Sequence, residues 1–274
     1  MAGRPGATDV QAKQGERVPA IAIREVSHSF AQPGHPRALV VDDVSLEIRR
    51  GESLAIVGPS GCGKTTLLNL VAGLERCQSG EILVDGALPA LGSERMGYML
   101  ARDSLLPWRR AIANAELALE VQKAPKELRR AKATEMLAAV GLSGSEHKFP
   151  AQLSQGMRQR VALARVFAGE PEVLLLDEPF SALDAQTKIL LQDAFLSLWE
   201  RSEATVVLVT HDLAEAVALS DRVVLMTRSP GRIRSIHEVA LPRPRLASSV
   251  QDNPLFHEVY DALWAELREE VTHA

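Results

Sequence analysis

The sequence predicts an α/β fold built on a mostly parallel sheet, with a layer of helices inserted into it. Three observations carry this. The apolar runs at 54–57, 173–176, 206–209 and 223–226 are continuous rather than alternating, as strands buried on both faces are. Helical patterns at 185–200 and 213–218 separate the last three runs. Between residues 104 and 168 the texture is helical throughout, with one helix at 113–121, a second at 126–140 stopped by Gly141, and a third opening after Ser154.

Taken in order, residues 1–18 are polar and lack an apolar core, which excludes a secretory signal and predicts a disordered tail. Residues 21–26 alternate apolar and polar as an edge strand does, and Phe30 ends that stretch. An aromatic there either stacks on a nucleotide base or caps a small β-layer core. After a Pro/Gly/His loop at 32–37, residues 39–48 continue in strand-forming types. Short strands are expected at 80–86 and 96–100, both near the end of the sheet where phosphates would sit. A Pro-rich link at 241–245 leads to an amphipathic helix at 255–271.

Composition narrows the partners. The 274 residues are 46% hydrophobic and 24% charged with a formal net charge of −4, which is ordinary globular usage. No Lys/Arg block is long enough to follow a nucleic acid backbone, so nucleic acid is not expected as a principal partner. No stretch approaches the roughly 18 consecutive apolar residues of a membrane helix, so a soluble chain is expected. Cys62 and Cys77 cannot build a disulfide framework and read as free thiols in a reducing compartment.

Two motifs carry chemistry. Gly58, Pro59, Ser60, Gly61, Cys62, Gly63, Lys64, Thr65 and Thr66 stand between an apolar strand and a helix rich in leucine, which is the setting of a Walker A loop. Its glycines turn the backbone so that N–H groups and the helix N-terminus face phosphates, Lys64 reaches the outer phosphates, and Thr65 is placed for Mg²⁺. Asp177 and Glu178 end a second apolar strand about a hundred residues downstream, so Asp177 is the expected Mg²⁺ partner and Glu178 the expected proton acceptor for an attacking water. Ser154, with Gly156 behind it, has N-cap chemistry, and its exposed amides suit a second phosphate group presented in trans.

The stretch 153–160, LSQGMRQR, resembles the signature sequence of ATP-binding-cassette (ABC) ATPases, and the motifs around it follow that family's order over roughly residues 20–240. Phe30 falls where the family has its A-loop aromatic, Ser181 to Asp184 resemble the D-loop, and Thr210, His211 and Asp212 resemble the switch-histidine segment. The resemblance implies a P-loop NTPase core with a mostly parallel sheet, an antiparallel β subdomain and an inserted helical subdomain. It divides the chain into a tail (1–18), a nucleotide-binding domain (19–240, helical insertion about 104–168) and a C-terminal link and helix (241–274). It further implies ATP and Mg²⁺ as ligands, held in a head-to-tail homodimer where Ser154, Gly156 and Asp184 face the partner's nucleotide and His211 contacts the γ-phosphate.

Within the family, the LLPW run at 105–108, the MRQR run, residues 229–233 and residues 241–245 are similar to importers of nitrate, aliphatic sulfonates and taurine. That subgroup implies a peripheral ATPase on the cytoplasmic face of the membrane, working with transmembrane permease subunits and indirectly with a solute-binding protein. Trp108 then lies near the permease, where the residues alone suggest a surface-to-core packing role. Gln155 stands in place of a usual glycine, and Ala101 stands where the family has the Q-loop glutamine. Arg102, Asp103 or ordered water is expected to replace the missing amide. The substitution leaves a second reading, a nucleotide-gated module or non-transport ABC protein with weak turnover.

Overall fold

The computed structural model describes residues 18–31 and 37–272. The expected tail, Val18 apart, and most of the loop at 32–37 lie outside the described residues. The chain begins β1 (Ile21–Phe30), β2 (Ala38–Ile48), β3 (Ser53–Val57), α1 (Lys64–Val71), β4 (Ser79–Val84) and β5 (Met96–Met99). A helical stretch follows, α2 (Ala111–Ala115), α3 (Leu117–Val121), α4 (Lys126–Ala139) and α5 (Gln155–Ala168). The chain then alternates β6 (Val173–Asp177), α6 (Ala185–Ser202), β7 (Thr205–Val209), α7 (Leu213–Leu219) and β8 (Arg222–Met226), and ends with β9 (Ile233–Glu238), α8 (Ala247–Val250) and α9 (Pro254–Thr272).

The main sheet has the order β5-β6-β7-β3-β8-β9, with β9 antiparallel to β8 and the other pairings parallel. Every residue of β3, β6, β7 and β8 is buried. Successive residues serve opposite cores: Ala55, Leu174, Leu208 and Val223 face the helices, whereas Leu54, Leu175, Val207 and Val224 face the smaller sheet. A strand with two apolar neighbours has no polar face to show, which is why these runs are unbroken. Each fully buried Leu, Ile or Val contributes about 1.5–3 kcal/mol relative to exposure.

The smaller sheet is antiparallel, in the order β2-β1-β4. The pattern at 21–26 suggests an edge strand, but β1 is the centre of this sheet, and Ile21, Ala22 and Ile23 are buried in succession. Polarity sets in only at Arg24 and Glu25, where the register with β2 shifts and Glu25 takes a left-handed φ of 49°. The expected strand near the phosphate end, now β4, likewise belongs to this sheet rather than to the main one. The helix expected at 113–121 starts at Ala111 and is divided at Glu116 into α2 and α3, and residues 104–110, expected within the helical layer, form a loop. Pro107 disfavours a helical Leu106 before it, and the buried Asn114 instead binds the loop, accepting from Leu106 N (2.8 Å) and donating to Leu106 O (3.2 Å) and Arg109 O (3.0 Å).

Beyond β8 the C-terminal segment is fastened by charge. Arg243 and Arg245 of the Pro-rich link pair with Asp221, and the Arg243 guanidinium lies 3.9 Å from the centre of the Trp199 ring. The edge strand β9 joins α9 through Arg234 to Glu269 and Glu270, and through His237 to Glu266 (3.1 Å). No helix among the described residues is long and apolar enough to cross a membrane.

One contact braces the glycine-rich loop from behind. Gly231, between β8 and β9, donates to Val40 O (2.8 Å) and accepts from Asp42 N (3.0 Å), and a Cβ added to it would stand 1.9 Å from Cys62 O. Gly231→Ala is therefore expected to destabilise the protein by about 1–3 kcal/mol through overpacking, and to weaken the nucleotide binding that the family resemblance implies by displacing the Cys62 carbonyl. Urea unfolding and ATP titration check this, and a variant with the parent's midpoint and affinity would show that the loop does not depend on the brace.

Candidate functional site

Three neighbouring strands, β3, β7 and β6, end at the same edge of the sheet, and each delivers a polar segment there. From β3 comes the glycine-rich loop, closed by Gly63, the left-handed N-cap of α1 (φ 96°). Lys64 is buried, and its ammonium folds back onto the loop, donating to Gly58 O (2.8 Å) and Pro59 O (3.0 Å). Cys62 is buried beneath it, and burial pushes its thiol up, away from thiolate chemistry. The Thr65 hydroxyl donates to Asp177 Oδ1 at the end of β6 (3.0 Å), which joins the two strand ends directly. Burial pushes the Asp177 carboxyl above its ordinary value, and the Thr65 hydrogen bond opposes it.

Glu178 follows with a left-handed φ of 46°, its N–H bonded to Val209 O of β7 (2.9 Å). Such a backbone is costly for a non-glycine residue and persists only where the surroundings impose it. Here Phe180, buried against Phe195 with ring centres 6.2 Å apart, anchors the chain two residues on. The strained turn aims the Glu178 carboxylate at His211 Nδ1, 3.4 Å away, and both groups remain open to solvent with side-chain exposures of 34% and 58%.

The second set of expected residues forms its own group. Ser154 caps α5, its Oγ accepting from Met157 N (3.3 Å), and Asp184 caps α6, its Oδ1 accepting from Thr187 N (3.0 Å). That amide also draws the Asp184 carboxyl below the usual carboxylate range. Gly156 lets the two helix starts meet, since a Cβ there would stand 2.4 Å from Thr187 Cγ2. Among the described residues, no hydrogen bond or ion pair connects Ser154, Gly156 or Asp184 to the glycine-rich loop. Phe30 lies outside both hydrophobic clusters and is 38% exposed, in edge contact with His28, so its ring does not cap the β-layer core. Trp108 is 71% exposed and does not pack toward the core.

Of the network beneath His211, only Asp212 is among the expected residues. Lys188, one turn into α6, donates to Asp212 Oδ2 (2.7 Å) and pairs with Glu215 Oε2 (2.8 Å). Asp212 also caps α7 by accepting from Ala214 N (2.9 Å) and Glu215 N (3.2 Å). Burial pushes both acids up; at Asp212 the Lys188 ammonium outweighs it and holds the carboxyl below the usual range, whereas Glu215, deeper and with Oε1 unpartnered, stays above it. The D-x-x-E spacing at 212–215 is a capping-box signal and points to the acids, though nothing in it identifies Lys188.

Removing that lysine leaves a buried acid without its countercharge. Lys188→Met is expected to cost about 3–5 kcal/mol in urea unfolding, and the Lys188→Met, Glu215→Met pair, which removes both charges, should regain most of it. Equal losses in the single and double variants would mean that the charge pair is not the source of the effect.

Comparison with known proteins gives this geometry a family. The family model described as ABC transporter matches residues 41–181. The chain is 42% identical over 245 residues to an uncharacterised ABC transporter ATP-binding protein of Methanocaldococcus jannaschii, covering 89% of this chain and 91% of that protein. It is 42% identical over 240 residues to the nitrate import ATP-binding protein NrtD of Synechococcus elongatus, covering 85% and 86%. It is 50% identical over 209 residues to the aliphatic sulfonates import ATP-binding protein SsuB of Cupriavidus necator, covering 75% and 66%. A solved dimeric ATP-binding cassette in a post-hydrolysis state, bound to ADP and phosphate, superposes with a TM-score of 0.72 at 29% identity, over 81% of this chain and 100% of that one. With a strand, glycine-rich loop and helix beside a strand end that carries two carboxylates, and relatives matched over most of its length, this chain belongs to the ABC transporter family and is an ATPase.

Proposed function

We propose that this chain is the ATP-hydrolysing subunit of an ABC importer for a small solute such as nitrate, an aliphatic sulfonate or taurine. The convergence of Lys64, Thr65–Asp177 and Glu178–His211 at adjacent strand ends supports the chemistry. The identity to nitrate and sulfonate import subunits supports the setting. In this reading two copies meet head to tail at the cytoplasmic face of the membrane, each ATP lying between the glycine-rich loop of one and Ser154, Gly156 and Asp184 of the other. Permease subunits carry the solute, delivered by a solute-binding protein.

The geometry supports the following roles. Residues 58–66 hold the phosphates through loop amides, with Lys64 exchanging the Gly58 and Pro59 carbonyls for phosphate oxygens. The Thr65 hydroxyl and the Asp177 carboxylate, already in contact, form an oxygen pair that suits Mg²⁺, which when bound neutralises charge on the phosphates. Asp177 must be ionised for this, so its raised pKa predicts that Mg²⁺ binding fails at a higher pH on acidification than an ordinary aspartate would allow. Glu178 takes the proton of the attacking water on its carboxylate, and His211, within reach of Glu178, orients the terminal phosphate and that water. The exposed Phe30 ring, on the sheet that touches the loop, stacks on the base.

Glu178→Gln is expected to bind ATP and dimerise while turnover falls by ~10²- to 10⁴-fold, and turnover within about twofold of the parent would remove Glu178 as the base. Lys64→Ala should weaken ATP binding by calorimetry, whereas Ser154→Arg in the Glu178→Gln background should bind ATP as a monomer. A normal ATP-dependent dimer of that double variant in gel filtration would exclude the trans contact.

Ala101 keeps the alternative of a gated module with weak turnover in view, because its methyl group offers no donor or acceptor to nucleotide or Mg²⁺. Asp103 is not free to replace the amide, being turned toward α5 and bonded to Arg158 Nε (2.9 Å). Steady-state ATPase of the parent and of Ala101→Gln, each alone and with the permease and loaded binding protein, separates the readings. Stimulation of the parent supports the importer subunit, and a silent parent rescued by Ala101→Gln supports the gated module.

A further inference from the structure

The loop at 101–108, between β5 and α2, is tied to α5 by three side chains in succession. Gln159, buried on α5, donates from Nε2 to Ala101 O (3.1 Å). Arg165 donates to Asp103 O (3.0 Å) and Ser104 O (2.8 Å). Arg158 donates from Nε to Asp103 Oδ2 (2.9 Å) and from Nη1 to Leu153 O (2.9 Å). One planar guanidinium therefore spans from the loop to the residue that immediately precedes Ser154. On the loop side, Asp103 Oδ1 accepts from Leu105 N (3.2 Å), and Leu106 is held by Asn114, so the clasp continues to within two residues of the exposed Trp108.

The opposite connection is missing. Among the described residues, no hydrogen bond or ion pair joins residues 101–108 to the glycine-rich loop, Asp177, Glu178 or His211. A ligand shifts a segment only through contacts that differ between that segment's states. Among the described residues the loop has no hydrogen bond or ion pair with the residues of its own site and has several with the helix that Ser154 caps.

We propose that Arg158 and Asp103 position the 101–108 loop, and that through them the loop follows the nucleotide held by the partner copy against Ser154 rather than the nucleotide on its own glycine-rich loop. The inference rests on the head-to-tail dimer of the preceding reading. Binding of the partner's phosphates orders the first turn of α5. Arg158 then transmits the new position of Leu153 to Asp103, and Asp103 sets the turn at Leu105. The replacement of an amide by Ala101 removes the direct route, and the clasp supplies another. Both residues are positioning residues and neither touches the phosphates.

Hydrogen exchange on the full chain in the Glu178→Gln background tests this, because ATP is bound there without being consumed. The peptides covering 101–109 are compared with and without MgATP, while gel filtration reports the dimer. The expected result is a slowing of exchange at 105 and 106 by about tenfold on dimerisation, lost in Arg158→Met and in Asp103→Ala although both still dimerise and still protect the residues around Lys64. A purely structural clasp would raise exchange in the variants equally with and without nucleotide and leave the MgATP response intact. That outcome overturns the proposal, as does a response in the monomeric Ser154→Arg double variant, which would mean that the loop senses its own nucleotide. No loop response in a Glu178→Gln dimer also overturns it. If Glu178→Gln binds ATP and stays monomeric, the dimer reading itself has failed and the proposal falls with it. If Arg158→Met does not fold, Asp103→Ala, which leaves the Arg158 bond to Leu153 in place, decides alone.

Discussion

The burial of β3 on both faces is the constraint on which the rest of the molecule depends. Flanked by β7 and β8 and covered by two apolar layers, this five-residue strand has no freedom to slide, so the point at which it turns into glycine is fixed. The Thr65–Asp177 hydrogen bond then locks the start of α1 to the end of β6, two strands away. Parallel strands bring their carboxyl ends to one edge, and at that edge three polar segments share a small space without any one of them needing to reach far.

Charge inside such a frame has to be matched, and the matching explains several otherwise odd contacts. Lys188 sits between Asp212, which caps α7, and Glu215 in the first turn of α7, so the helix following Asp184 and the segment carrying His211 are held at one separation. Asp221 does the same for the C-terminal link by collecting Arg243 and Arg245. At the far edge of the sheet, β9 presents Arg234 and His237 to a row of glutamates on α9, and charged side chains on an edge strand discourage another strand from adding there.

The fold was legible wherever a residue's type alone decides its environment. Continuous apolar runs identified four central strands because only a doubly covered strand is apolar on both faces, and the glycine-rich loop was legible because its spacing serves one geometry. The role of β1 as a central strand was not, since three buried residues followed by Arg24 and Glu25 look the same whether one neighbour strand or two are present. Likewise β9, half-exposed and mostly polar, carries no period that distinguishes it from a loop. At the site, the residues of the strand ends were readable from motif spacing. Lys188 and Arg158 were not, because their meaning comes from helices packed against one another: a lysine and an arginine on helical surfaces read as solvated until the tertiary structure places acids beside them. Asp103 illustrates the same limit, as a side chain that chain position suggests is available and that packing commits elsewhere.

The folded-back ammonium of Lys64 bears on which anions this cradle accepts. Two of its three donors are bonded to Gly58 O and Pro59 O, so an anion that takes those donors exchanges hydrogen bonds at the lysine instead of adding them. In the proposed function a nucleoside triphosphate engages the loop amides along its chain and stacks its base at Phe30, and those contacts would offset the bonds the lysine gives up. On that reading the lysine's bonds to the loop favour a ligand that brings several contacts at once over one that reaches the ammonium alone.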